Sequence, residues 1–322
     1  MLHFYIAPAM PRNPLFSIRV RIDLPTYFIH NPVSGKSDAG DILAAIKTQF
    51  EGHAEDFEHI ETRANDSIPD IVRAAVDRGF DLIVAAGGDG TVSAVANGLL
   101  YSKVPLGILP LGSGNACARE LGVPLDLEQA LAVLTDSRAE TVIDTLTVGG
   151  RHYLMNLSVG LSARTMASTD RSQKRRMGKV AYLLEGLSNL AGLSLQSFMV
   201  HIDDHLLRVR ASEIVVANMG LVGFKNVRLS PDIHPDDGQL NVCIIRASTL
   251  GGFLRLLGGA LREDPGRQPE LKCLPAKREV RIEAGRAQAV QGDGEPLGKT
   301  PVTVGIAPGS LRIRIPEKEP AA

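Results

Sequence analysis

Gly87-Gly88-Asp89-Gly90-Thr91 is the stretch of this 322-residue chain whose residue types and spacing could do chemistry. It follows an apolar run, Leu82-Ile83-Val84-Ala85-Ala86, and precedes a helical pattern starting near Val92. Strand, glycine turn and helix N-terminus in that order aim backbone N–H groups at an anion, and the helix dipole favours negative charge there. Glycine lets the backbone approach a phosphate closely. Asp89 is the unusual member. A carboxylate beside phosphates is repelled unless a divalent cation lies between them or it accepts a proton or hydroxyl. The combination implies phosphoryl transfer rather than passive dinucleotide binding, although the same five residues also suit a plain strand-to-helix turn.

Two further loops of this kind follow strands. Tyr27-Phe28-Ile29 runs into Asn31-Pro32-Val33-Ser34-Gly35-Lys36, and Leu106–Leu109 runs into Gly112-Ser113-Gly114-Asn115. The elements between them alternate. Asp38 would cap a helix with Ile42, Leu43, Ile46 and Phe50 on one face, and a strand spans Phe57–Thr62. A helix covers Ile68–Arg78 with Gly79 as its stop, and another covers Val92–Leu100. Alternation of this kind predicts a mostly parallel sheet whose ligands lie beyond the carboxyl ends of the strands. All three glycine loops fall on that edge.

After about residue 148 the texture changes to short strands: His152–Leu157, Phe198–Ile202, Ile214–Ala217 and Leu240–Ile245. Val280 and Ile282, then Leu311, Ile313 and Ile315, alternate with charges. The expected fold is therefore an α/β, Rossmann-like N-terminal domain followed by a β-rich, antiparallel sandwich domain. The expected boundaries are an N-terminal extension over residues 1–24, a first domain over 25–147 and a second over 148–322. Ser172–Ser194 reads as a helix opened by Arg171, Lys174, Arg175, Arg176 and Lys179, with a leucine face after them. Leu250–Leu261 is a second apolar helix candidate.

A net charge of −1 provides no global attraction to nucleic acid, so no nucleic-acid partner is expected. Cys117, Cys243 and Cys273 are widely spaced and read as free thiols in a reducing compartment. No apolar run is long enough to span a bilayer, and prolines at 8, 11 and 14 break the N-terminal apolar stretch. A cytoplasmic protein is expected, with the basic cluster offering peripheral contact at the inner membrane face. Oligomeric state is not legible, and a dimer stays open.

The order Asn-Pro-x-Ser-Gly, Gly-Gly-Asp-Gly-Thr and Pro-Leu-Gly-Ser-Gly-Asn resembles the diacylglycerol kinase catalytic-domain superfamily, in particular compact bacterial lipid kinases. The resemblance begins near Thr26. It continues through Asn156-Leu157-Ser158-Val159-Gly160, Pro235-Asp236-Asp237-Gly238-Gln239-Leu240 and Asp293-Gly294-Glu295. It implies ATP as co-substrate, Mg²⁺, and a lipid acceptor at the membrane surface. Asn31, Ser34 and Thr62 would line the nucleotide site; Gly87, Gly88, Asp89, Gly90 and Thr91 would hold phosphates. Gly112, Ser113, Gly114 and Asn115 would complete the cradle. His234, Asp237 and Gln239 would hold a metal, the first and last through backbone carbonyls. Glu295 would be the proton acceptor, with Asp293 and Asp89 steering metal and water and Asp89 as the competing base.

Two positions depart from the family pattern. Ala94 stands where members often carry an acid, and Ala116 where many carry Asp. A kinase for a soluble acceptor such as NAD shares Gly-Gly-Asp-Gly but lacks the Asn-Pro-x-Ser-Gly opening, and a catalytically weak binding protein is the third reading. Other signals have bland readings. Gly298-Lys299-Thr300 lacks the first glycine of a phosphate loop, because Asp293 occupies that place. His201 and His205 flank Asp203-Asp204 in an expected β-turn, and Asn97-Gly98 reads as a helix end.

Overall fold

The computed structural model describes residues 25–35, 39–50, 57–160, 163, 195–221, 227–249, 251–252, 255–256 and 270–317. Residues 1–24, the Asp38 cap and the basic segment 171–179 with its leucine helix lie outside them. Of Leu250–Leu261, Gly251, Gly252, Arg255 and Leu256 are described, and they are helical.

The apolar runs of the first half become buried parallel strands: β1 (Thr26–His30), β2 (Phe57–Glu61), β3 (Leu82–Gly87) and β4 (Leu106–Pro110), in the order β2-β1-β3-β4. β1, β3 and β4 are apolar almost throughout because helices cover both faces of the sheet. On one side α2 (Ile68–Asp77) and α3 (Asp89–Leu99) bury Val72, Ala75, Val92, Val95 and Leu99. On the other, α1 (Ala39–Gln49) and α5 (Leu127–Asp136) bury Ile42, Ile46, Leu131 and Leu134. Full burial of each such aliphatic side chain is worth roughly 1.5–3 kcal/mol. Asp126 caps α5 by accepting the Gln129 N–H at 3.0 Å.

Two helix boundaries differ from expectation. The helix predicted from Val92 starts at Asp89, with Gly88 as its cap, so most of the glycine motif is the first turn of α3. Glycine is an acceptable cap, and an acid in the first turn is favoured by the dipole. Asn97-Gly98 does not end the helix, which runs to Leu99. The Asn97 amide instead donates to the Ser93 carbonyl at 2.9 Å and to the His152 carbonyl at 3.1 Å.

After the short α4 (Ala116–Glu120) and α5 come β5 (Glu140–Val148), β6 (Arg151–Tyr153), β7 (Asn156–Gly160), β8 (Gln196–Ile202) and β9 (His205–Ala211). There follow β10 (Glu213–Ala217), β11 (Leu240–Ile245), β12 (Leu271–Ala276), β13 (Glu279–Ala284), β14 (Ala289–Gly292), β15 (Glu295–Lys299) and β16 (Val302–Arg314). One antiparallel sheet runs β12-β11-β10-β7-β14-β15. The facing layer, β16-β13-β8-β9, is continuous with the first sheet, because β16 joins β4 in parallel at Ile313 and Leu106. Leu157, Ile214 and Val242 meet Phe198, Val200 and Val304 between the layers. This is the expected antiparallel sandwich, joined to the α/β half by one shared sheet.

The strand expected over His152–Leu157 breaks at Leu154-Met155, where both backbone N–H groups turn to the Asp293 carboxylate. His201 and His205 belong to the β8–β9 hairpin, whose turn is built on Asp203 at φ 50°. The expectation of three free thiols is corrected. Cys243 and Cys273 stand opposite one another on β11 and β12, with Cα atoms 4.0 Å apart, and form a disulfide; Cys117 alone is free and buried. Sheet register created that pairing, and the inference of a reducing compartment from unpaired cysteines loses its support. Among the described residues, no helix is long and apolar enough to cross a membrane.

Candidate active site

Three loops meet at the carboxyl edge of the parallel strands. Gly88 and Gly112 lie back to back: a Cβ on Gly112 would sit 2.5 Å from the Gly88 Cα, so only glycine fits. Gly35, in the left-handed region at φ 81°, is pressed against the Leu111 carbonyl oxygen, where any side chain would collide. Asn31 closes the arrangement by donating from Nδ2 to the Thr91 hydroxyl at 3.2 Å, and its Oδ1 accepts the Val33 N–H at 3.2 Å. Thr91 is buried, so its hydroxyl serves this loop-to-helix tie. The N-terminus of α3 has no side-chain cap, which suits it to an anion.

The remaining predicted nucleotide residues border the same edge. Ser34 donates its N–H to the Asn31 carbonyl at 3.0 Å, and Thr62 leaves β2 with its N–H on the His30 carbonyl at 2.8 Å. Asn115 adopts φ 51° and ties its loop shut through Nδ2, to the Pro110 carbonyl at 3.2 Å and the Gly112 carbonyl at 2.8 Å. Its buried Oδ1 has no partner among the described residues. Gly114, beside Ser113, abuts Asp89: a Cβ there would lie 3.0 Å from Asp89 Oδ2.

The carboxylates have different surroundings. Asp89 Oδ1 accepts the Cys117 N–H at 3.1 Å, which fixes the acid to α4. Asp293, at φ 46°, is half-buried and accepts four hydrogen bonds: the N–H groups of Leu154 at 2.7 Å, Met155 at 2.9 Å and Asn156 at 3.1 Å, and the Ser93 hydroxyl at 3.2 Å. Burial pushes its carboxyl up while these donors pull it back. Glu295, two residues on, is exposed.

Two clefts separate these acids. One, of about 330 Å³, runs along α3 past Gly90, Ser93, Ala94 and Asn97 to Arg151, Tyr153 and Glu295. The other, of about 410 Å³, has Met155, Val215, Leu221, Leu229 and Ile245 as its apolar wall, and Asp89, Glu213 and Gln291 among its polar lining. Asp293 borders both. Asp89 therefore meets the apolar cleft and Glu295 the cleft along the helix. Ala94, the departure from the family pattern, lines the latter, and Ala116 lines the former.

The acidic loop lies apart from both clefts. Asp237 Oδ1 accepts the Gln239 N–H at 2.9 Å, and Asp144 holds the loop by accepting the Gly238 N–H at 2.7 Å. Burial first, and the neighbouring Asp144 and Asp236 after it, push the Asp237 carboxyl up. A hard divalent cation would relieve that repulsion, and the oxygen donors of Asp237 and the His234 and Gln239 carbonyls fit Mg²⁺ chemistry. No cluster of three metal-ligating side chains occurs among the described residues, so such an ion would rely on backbone oxygens.

Sequence reasoning missed Ser93, Asn97, Asp144 and Asn218. Asn218 Nδ2 bridges the Asp144 carbonyl at 2.8 Å and the Leu154 carbonyl at 3.0 Å, joining the loop to the Asp293 turn. Nothing local marks these residues for the site; apart from the Ser93 carbonyl that Asn97 meets, their partners are far away in the chain.

Comparison with known proteins agrees with this architecture. Residues 25–148 match the diacylglycerol kinase catalytic domain, and residues 155–315 match the YegS C-terminal NAD kinase beta sandwich-like domain. The chain therefore belongs to the diacylglycerol kinase catalytic-domain family, and it is a lipid kinase by class. It is 30% identical over 277 residues to the diacylglycerol kinase of Bacillus subtilis (strain 168), covering 85% of this chain and 90% of that protein. It is 32% identical over 255 residues to a Pseudomonas aeruginosa (strain UCBPP-PA14) protein named "Probable lipid kinase YegS-like", covering 78% and 82%. A crystal structure of a diacylglycerol kinase from Bacillus anthracis str. Sterne superposes with a TM-score of 0.74 over 90% of this chain and 96% of that one; at 23% identity it speaks for the fold.

Proposed function

We propose that this chain transfers the γ-phosphoryl group of ATP, with Mg²⁺, to the hydroxyl of a lipid such as diacylglycerol, a monoacylglycerol or a sphingoid base. The observation that carries this reading is the mainly apolar cleft that Asp89 borders, beside the glycine loops. Backbone N–H groups at the start of α3 would receive the phosphates, and the cleft would hold the acyl chain. Similarity to the family favours Glu295 as proton acceptor. The cleft lining favours Asp89, which borders the apolar cleft where Glu295 does not. Asp89 would take the hydroxyl proton as the lipid oxygen bonds to the γ-phosphorus and ADP departs. Glu295 would act from the nucleotide side. Mg²⁺ would offset charge on the transferring phosphoryl group.

On this reading residues 25–147 form the nucleotide domain, 148–322 the lipid domain, and 1–24 a dispensable extension. Arg171, Lys174, Arg175, Arg176 and Lys179 would bring the enzyme to an anionic surface, each contributing about 1 kcal/mol. Radiolabelled ATP incubated with extracted total lipid, and separately with NAD, tests the proposal. A labelled phospholipid is expected; label on NAD alone would overturn it. Sedimentation with phosphatidylglycerol vesicles, lost at high salt and in a Lys174/Arg175/Arg176→Ser variant, tests the membrane contact.

A further inference from the structure

Glu120 closes α4, the short helix that holds Asp89 through the Cys117 N–H. Its side chain is only 3% exposed, and both carboxylate oxygens are used. Oε1 pairs with Arg228 Nη2 at 2.8 Å, and Oε2 accepts the Leu221 N–H at 2.9 Å. Arg228 reaches onward through Nη1 to the Ile233 carbonyl at 3.2 Å. Leu221 and Arg228 form an isolated antiparallel bridge, and the Leu229 N–H donates to the Gly220 carbonyl at 2.9 Å. Residues 220–221 and 228–229 are thus a short two-sided strap whose root is fastened to α4 by one buried acid.

Leu221 and Leu229 of that strap wall the apolar cleft, which Asp89 also lines. Glu120 is the shared anchor: its helix places the catalytic carboxylate, and its side chain places the apolar wall. A buried ion pair contributes little net stability against an apolar replacement, so its value here lies in geometry. We propose that Glu120, with Arg228, is a positioning residue that fixes the apolar wall relative to Asp89 and so determines how tightly a long acyl chain is held. This rests on the reading of that cleft as the lipid site.

The test uses the full-length protein and two probes, cis-parinaric acid for the cleft and a fluorescent trinitrophenyl-ATP for the nucleotide. Glu120→Gln keeps an acceptor for the Leu221 N–H but loses the ion pair. Because a lone Arg228 charge could unfold the site, the pair Glu120→Gln/Arg228→Met removes both charges together. Parinaric acid should bind the double variant about tenfold more weakly while nucleotide affinity is unchanged, with Arg228→Lys in between. For dioleoylglycerol the rise should appear in KM rather than kcat, and it should be smaller for dihexanoylglycerol. Equal parinaric acid affinity in wild type and double variant, or equal weakening of both probes, would overturn the positioning role. If the wild type bound no parinaric acid yet remained a kinase, the assignment of the cleft itself would fall, and the inference with it.

Discussion

Ser93 and Asp293, 200 positions apart, are joined by a hydrogen bond of 3.2 Å from the serine hydroxyl to the carboxylate. One lies on the helix that starts at the glycine loop, the other on the turn leading into β15. The same carboxylate collects three backbone N–H groups from the break between β6 and β7. Asp293 is therefore a clamp between the helix that follows the glycine loop and the β-rich half.

The clamp predicts a graded loss of stability. A hydrogen bond to a charged group contributes about 1.5–3 kcal/mol, and each buried donor left unpaired costs about 1–3 kcal/mol. Ser93→Ala should lower the urea unfolding free energy by about 1–2 kcal/mol, and Asp293→Ala by about 3 kcal/mol or more. Asp293→Asn, which keeps one acceptor oxygen, should fall between. An Asp293→Ala protein with a wild-type midpoint would show that the turn stands without its carboxylate.

Local signals made much of this fold legible and left out whatever depends on distant partners. The apolar runs at Leu82–Ala86 and Leu106–Leu109 announced parallel strands because burial on both faces leaves no alternation. Asp89-Gly90-Thr91 read as turn because glycine is a weak helix former, yet a first turn tolerates it where the N–H groups need no internal partner. The break at Leu154-Met155 was invisible, since two apolar residues continue a strand pattern and only Asp293 diverts them. Likewise Cys243 and Cys273 carry no pairing signal until β11 and β12 set their register. Of the chemical residues, the glycine loops and acids were readable. Which acid meets which cleft was not.

Asp89 and Glu295 should separate kinetically. Asp89→Asn should reduce kcat by about 10²-fold or more at nearly constant KM for ATP, the scale of a lost general base. Glu295→Gln, on the cleft along α3, should act on KM for ATP at least as much as on kcat. Near-normal turnover in Asp89→Asn, with turnover abolished in Glu295→Gln, would return the base to Glu295.

The acidic loop predicts a metal effect that does not need nucleotide. Binding to the folded state alone adds about 2.7 kcal/mol at a hundredfold excess over Kd, which for a chain of this size means several degrees in Tm. Mg²⁺ without ATP should raise the Tm of the wild type and leave Asp237→Asn unmoved. A rise of equal size in both proteins would place the responsible ion elsewhere.

Acid should weaken the protein through His30 and His59. Their rings touch across β1 and β2, Nδ1 of His30 lying 3.3 Å from Nε2 of His59. Burial depresses both, and the neighbouring His30 depresses His59 further, against an opposing pull from Glu61. A histidine held below its ordinary value of about 6.5 is neutral in the fold, while the unfolded chain takes up the proton as pH falls. The stability these residues contribute is thus complete above about pH 6.5 and is lost as pH falls below it towards the depressed folded values. Tm measured between pH 8 and 5 should fall for the wild type. His30→Gln/His59→Gln should start lower and decline less over the same interval, since glutamine does not titrate. Parallel curves for the two proteins would mean that this pair does not report acid, whatever its separation.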